Sequence, residues 1–227
     1  MANSTVPGRW IEVSPDRLVP WVHSFAERHG TVTAEPGASV VTFRAADGAV
    51  ARCHVPFPPL PGGADGVPAD ITAAERISAH ALSARTVGVF LVRLGGYAAG
   101  VFTGPEARLA ASKVGSRLVH GRSAAGGTSQ HRFARRREKQ ANEALSAAAD
   151  TAAAVFGPYA GKLDAVVLGG DRRAIAGLRD DPRLQPYLSL AVERFLTVPD
   201  PRLAVLRTAP RLFRAVRVWL TEPRPAA

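Results

Sequence analysis

The chain has 227 residues, 46% of them hydrophobic, which is enough for one proper core plus a smaller appended unit. Lysine and arginine number 29 against 19 aspartate and glutamate, a net charge of +10 with a pI near 11.0, which favours an acidic partner such as a nucleic acid and speeds the encounter with one. A single cysteine, Cys53, excludes an internal disulfide and a cysteine-cluster zinc site.

The N-terminal Met1–Pro7 stretch has no basic region leading into an apolar run, and no apolar segment reaches membrane-spanning length. A cytoplasmic protein without a membrane partner is expected. Ser14 and Pro15 open a helix whose apolar stripe, Leu18, Trp21, Val22 and Phe25, ends at Gly30. Two short strands follow, Val40–Arg44 and Ala49–Val55, joined by a turn at Ala46-Asp47-Gly48. Cys53 and His54 are neighbours on the second of these, so they point to opposite faces; Cys53 reads as a core residue and not as a nucleophile. Pro56-Phe57-Pro58-Pro59-Leu60-Pro61-Gly62-Gly63 is too rich in proline and glycine for helix or ladder and reads as a linker. The expected organisation is therefore a small N-terminal α+β unit over 1–56, a linker over 57–70 and a larger domain over 71–227.

A modest helix covers Thr72–Ser83, and a three-strand meander follows. Val87–Leu94 is nearly continuous in apolar residues and so is expected to be buried on both faces. Gly95-Gly96 turns into Tyr97–Thr103, and Gly104-Pro105 turns into Arg108–His120. A long helix runs from about Arg132 to Phe156. Ala141, Leu145, Ala148, Ala152 and Val155 form its apolar stripe, and Arg132, Arg136, Lys139 and Glu143 lie opposite. Leu163–Leu168 is a short buried strand. Gly169-Gly170-Asp171 reads as a plain strand-to-helix turn with Asp171 as N-cap of a helix over Arg172–Leu178. Leu188–Val198 is expected as the last strand. One or two amphipathic helices should close the chain, burying Leu206, Ala209, Phe213, Val216 and Leu220 and exposing Arg207, Arg211, Arg214 and Arg217. The order is a meander followed by αβαβα, an α/β (α+β) arrangement with one mixed sheet flanked by helices. It carries no internal repeat.

Between the meander and the long helix lies Gly126-Gly127-Thr128-Ser129-Gln130, followed at once by His131-Arg132-Phe133-Ala134-Arg135-Arg136-Arg137-Glu138-Lys139. The glycines permit close backbone approach to a ligand. Glutamine neither gives nor takes a proton near neutral pH, yet its amide can hold a water and a carbonyl in fixed geometry. Arginines beside it, at a helix start that itself favours anions, suit a group attached to a polyanion. The combination points to hydrolysis on RNA, at the acceptor end of a tRNA, with Gln130, Gly127 and Gly126 at the reacting group and Arg132, Arg135, Arg136, Arg137 and Lys139 on phosphates.

Other motifs carry less. His120 and His131 bracket the loop without ligand spacing, and nothing matches a Walker A loop or a dinucleotide fingerprint. The sheet order resembles the ribonuclease H arrangement, whose nucleases hold metal ions with carboxylates on central strands. None of Val87–Leu94, Tyr97–Thr103 or Arg108–His120 carries Asp or Glu, and Asp164 and Asp171 alone are too few, so neither metal nor cofactor is implied.

At these residues the chain resembles the eukaryotic and archaeal type of peptide-chain release factor. Within that superfamily it is similar to the Vms-like (ANKZF-like) branch, and most of all to the actinobacterial Vms-like peptidyl-tRNA hydrolases. Class I release factors carry an uninterrupted Gly-Gly-Gln. The Vms-like branch has Gly-x-x-Gln, here Gly127-Thr128-Ser129-Gln130, with a basic helix behind it. The likeness spans roughly Thr86–Glu222. It implies a ribonuclease H-like release-factor catalytic domain and a metal-independent peptidyl-tRNA hydrolase that frees nascent chains from stalled large ribosomal subunits. Its partners would be peptidyl-tRNA and ribosomal RNA, and it would act as a monomer. The zinc-finger, ankyrin and segregase-recruiting regions of eukaryotic members are not visible, nor is a stop-codon-reading domain. Two alternatives stand beside this reading: cleavage within the tRNA acceptor end, and a non-catalytic ribosome- or RNA-binding module.

Overall fold

A computed structural model describes residues 8–61, 70–93, 95–117 and 130–223, with the backbone alone at 70–72 and 130–137. The elements in chain order are β1 (Gly8–Val13), α1 (Pro15–His29), β2 (Val32–Glu35), β3 (Val40–Ala45), β4 (Val50–His54), α2 (Asp70–Leu82), β5 (Val87–Arg93), β6 (Gly96–Thr103) and β7 (Arg108–Ser116). They continue with α3 (Gln130–Phe156), β8 (Ala165–Gly170), α4 (Arg172–Ala176), α5 (Gln185–Leu188), β9 (Ala191–Leu196), α6 (Leu203–Arg214) and β10 (Val216–Thr221).

The chain divides into two units, Met1–Ser83 with Arg214–Ala227, and Ala84–Phe213. The first is built on an antiparallel sheet of order β1-β10-β4-β3-β2. Helix α1 starts as the sequence predicts: Ser14 stands at the N-cap in an extended conformation, Pro15 follows in the first turn, and Gly30 ends the helix at φ +83°, a left-handed value that favours glycine. Its buried Leu18, Val22 and Phe25 share a core with Ala73, Ala74 and Ile77 of α2 and with Val41, Phe43, Ala51, Cys53, Val216, Val218 and Leu220 of the sheet.

Two features of this unit differ from the sequence expectation. The described part of the proline-rich segment packs onto the unit instead of linking: Leu60 is buried, its amide donates to the Ala38 carbonyl at 2.7 Å, and Arg76 on α2 donates to the Pro61 carbonyl at 2.8 Å. Prolines bar this stretch from a ladder, but they do not stop its one leucine from reaching a core. Residues 62–69 lie outside the described part. The second difference is β10. Val216–Leu220, expected as the far end of a helix, is a strand between β1 and β4, with Val216, Val218 and Leu220 buried. A span that satisfies both periods takes the structure its partners supply.

The second unit has a mixed sheet of order β7-β6-β5-β8-β9, in which β5 pairs antiparallel to β6 and parallel to β8. Six of the seven residues of β5 are buried, as its unbroken apolar run predicts. On one face Phe90, Val92, Ala99 and Val101 meet Ala148, Ala149, Ala152 and Phe156 of α3. On the other face Phe102 sets its ring edge against Phe213 of α6 at 6.0 Å, and Leu206 lies over Gly100, where any Cβ would stand 2.9 Å from its Cδ2. The result is helix, sheet, helix: an α/β layer arrangement whose meander precedes the helical crossovers, as the sequence predicts.

Candidate catalytic helix and nucleic-acid interface

Helix α3 is 27 residues long and rich in alanine, the strongest helix former. Its C-terminal half is the anchor. Ala144, Ala148, Ala149, Thr151, Ala152, Val155 and Phe156 are buried, a stripe at helical spacing, and small side chains let the helix approach the sheet closely. Phe156 closes the stripe edge-on to Phe90 at 6.5 Å and to Tyr187 at 5.3 Å. Outside the core, Arg183 bridges Asp150 of α3 to Asp181, reaching the latter at 2.5 Å; this hydrogen bond holds the Asp181 carboxyl below its usual range.

The N-terminal half is different. Glu138, Lys139, Asn142 and Glu143 are all exposed, and the first buried side chain among those described is Ala144. Lys139 lies 3.9 Å from Glu143 one turn on, with both mostly in solvent, so the pair holds little energy and leaves the ammonium accessible. Gln130 is the first residue of the helix. At about 1.5 Å per residue it stands roughly 20 Å along the axis from Ala144. Arg132, Arg135, Arg136 and Arg137 fall in the first turns of the same helix. Gly126 and Gly127 lie outside the described residues, as does His120.

The other candidates resolve into local structure. Asp171 is the N-cap of α4, accepting from the Arg173 amide at 2.8 Å, as the sequence predicts. Asp164 accepts from the Thr86 amide, so both carboxylates are engaged by backbone. Among the described residues no group of three or more His, Cys, Asp or Glu side chains is arranged to hold a metal. Cys53 is fully buried, which pushes its thiol up to about 12, while His54 is exposed on the opposite face. Arg207 and Arg211 line the exposed side of α6. Arg214, more enclosed, has its guanidinium pulled down by burial. No helix among the described residues is long and apolar enough to cross a membrane.

One grouping was not anticipated. Trp10 on β1 sits 5.2 Å from Trp219 on β10 and 5.0 Å from His54 on β4, with the Arg217 guanidinium 4.2 Å over its ring. These residues come from three segments far apart in the chain, and only the strand register brings them together. The one signal for it in the sequence is the alternation in Val216-Arg217-Val218-Trp219-Leu220-Thr221.

The second unit thus combines a mixed sheet with a basic helix that follows a Gly-x-x-Gln sequence. The chain belongs to the Actinobacteria/chloroflexi VLRF1 release factor family, whose model matches residues 85–219. Its role accordingly lies in translation. Similar solved structures include an archaeal translation termination factor, aRF1, at 15% identity and a TM-score of 0.43, over 90% of this chain and 64% of that one. The Vms1 mitochondrial localization core aligns at 13% identity and a TM-score of 0.37, over 84% and 78% of the two chains. An archaeal protein aligns at 13% identity and 0.40, over 90% and 65%. The chain thus spans just under two thirds of the archaeal factor. No curated protein matches it.

Proposed function

We propose that this protein is a metal-independent peptidyl-tRNA hydrolase that frees nascent chains from stalled large ribosomal subunits. The observation that carries the reading is the position of Gln130, at the head of a long helix whose first fully buried side chain among those described is Ala144. A helix anchored at its C-terminal half, with Glu138, Lys139, Asn142 and Glu143 exposed toward the other end, can carry its tip into a narrow, RNA-lined cavity.

The chemistry asks little of the protein. The peptidyl ester is already activated, so a water must be held at its carbonyl carbon and the developing oxyanion must be stabilised. Water oxygen bonds to the carbonyl carbon, the bond to the ribose oxygen breaks, and a proton passes from the water to that oxygen through the tRNA hydroxyl or a second water. Gln130 holds the attacking water or donates to the oxyanion through its amide. One such donor contributes about 3 kcal/mol, roughly a hundredfold in rate. Gly126 and Gly127 let the tip approach closely. Arg132, Arg135, Arg136, Arg137 and Lys139 hold phosphates, aided by the positive end of the α3 dipole.

Purified protein incubated with stalled nascent-chain complexes tests this reading when both products are sized. Freed peptide with an intact tRNA 3′ end is the expected result. A shortened tRNA means cleavage in the acceptor end instead. Binding with no turnover of either kind means a non-catalytic module.

A further inference from the structure

Among the described residues, the five-stranded sheet of the first unit packs one face into that unit's core. Both helices of that unit share a core with Val41, Cys53 and Val218, which leaves the alternate residues of every strand on the other side. On that side the register sets Trp10, Trp219 and Arg52 in one row across three neighbouring strands, and Glu12, Arg217 and His54 in the next. Strands are about 4.8 Å apart and same-face rows about 7 Å, so the group covers an area close to that of two nucleotides.

The aromatic residues here are built as a surface. Trp10 remains 46% exposed, a large value for an indole. Trp219 lies across Gly8: its Cε2, Cζ2 and Nε1 atoms stand 2.5, 2.6 and 2.7 Å from where a Cβ on that glycine would be. A side chain at position 8 would lift the indole off the strand; glycine lets it lie down and keeps its outer side available. Arg217 covers one side of Trp10, and Arg52 is exposed and makes no ion pair with a described residue. The face holds three arginines against two glutamates, and one of the three, Arg44, is occupied by Glu35 at 2.6 Å on the far strands.

We propose that this open face is a second RNA-binding surface, taking unpaired RNA by stacking a base on the Trp10–Trp219 pair and holding the adjoining phosphates with Arg52 and Arg217. Exposed indoles need a free π-face, which an unpaired base offers and a duplex hides within its own stack. Cations flanking the rings suit a polyanion. A surface of this type reads little sequence, because every base can stack.

The test uses a fluorescein-labelled, unstructured eight-nucleotide RNA and the full chain in an Arg132→Ala, Arg135→Ala, Arg136→Ala, Arg137→Ala, Lys139→Ala background, which removes the basic helix from the readout. Anisotropy should show binding in that background, with quenching of tryptophan fluorescence. Trp10→Ala should weaken affinity by roughly tenfold or more. Arg52→Gln, which disturbs no packing, should weaken it several-fold and lower the salt slope by about 0.7. Trp10→Phe should restore most of the loss. No binding in the background chain, or equal binding by Trp10→Ala and Arg52→Gln, overturns the proposal. So does self-association or acidic-peptide binding that is lost in Trp10→Ala while RNA affinity is unchanged; the face would then be a protein interface.

Discussion

Asp164 and Thr86 clasp each other at the mouth of the second sheet: the Asp164 carboxylate accepts from the Thr86 amide at 2.6 Å, and the Asp164 amide donates to the Thr86 carbonyl at 2.9 Å. The pair stands just before β8 and β5, the parallel neighbours at the centre of the sheet, and so fixes their common start. Replacing Asp164 by Ala removes a charge-assisted bond to backbone and should cost about 1 kcal/mol in chemical denaturation, with Asp164→Asn losing less.

Gln130→Ala should slow peptide release by about a hundredfold or more in single-turnover assays, while affinity for the stalled complex stays within roughly threefold. Release at the wild-type rate removes Gln130 from the mechanism.

The basic turns of α3 make a separate prediction in salt. Arg132→Ala, Arg135→Ala and Arg136→Ala combined should lower the slope of log affinity against log salt by about 2, since each phosphate no longer neutralised by a guanidinium takes away roughly 0.7. An unchanged slope would place the phosphates elsewhere.

Gly170 adopts φ +98°, and a Cβ there would stand 2.2 Å from the Val92 carbonyl oxygen. The neighbouring Asp171 amide donates to that same oxygen at 2.8 Å, so the carbonyl cannot move aside freely. Gly170→Ala should lower stability by about 3 kcal/mol or more, read as a fall in melting temperature.

Asp47 supplies a pH dependence. Its carboxylate accepts from the Ala49 amide at 2.9 Å and meets His29 Nδ1 at 2.8 Å, and these bonds, the amide first, hold its carboxyl below the usual range. A lowered native pKa gives stability that is present above the unfolded value, about 3.9, and is lost as pH falls through the native one. The melting-temperature gap between wild type and Asp47→Asn should therefore be full at neutral pH and close below about pH 4.

What the sequence revealed follows from how local each signal is. The N-cap, proline and glycine around α1 act within one turn, and the unbroken run in β5 states its own burial. The Gln130 segment stood out for the same reason, since loop, amide and cations are contiguous. Leu206, Ala209, Phe213, Val216 and Leu220 fit a helix throughout, yet the chain leaves the helix at Arg214 and becomes β10. What decides this is pairing with β1 and β4, which lie at the other end of the chain. The same non-local register hid Trp10 and Trp219 from each other. The packing of Leu60 was hidden by the prolines around it.

The position of β10 also sets an order of events at synthesis. The first unit's sheet joins β1 to β4 only through a strand that leaves the ribosome some 130 residues after α2. Until then β1 and β4 each hold a row of unpaired amides and carbonyls, while Ala84–Phe213 already has all its strands in hand. Ala84–Phe213 can thus mature first, and β1, β10 and β4 pair last.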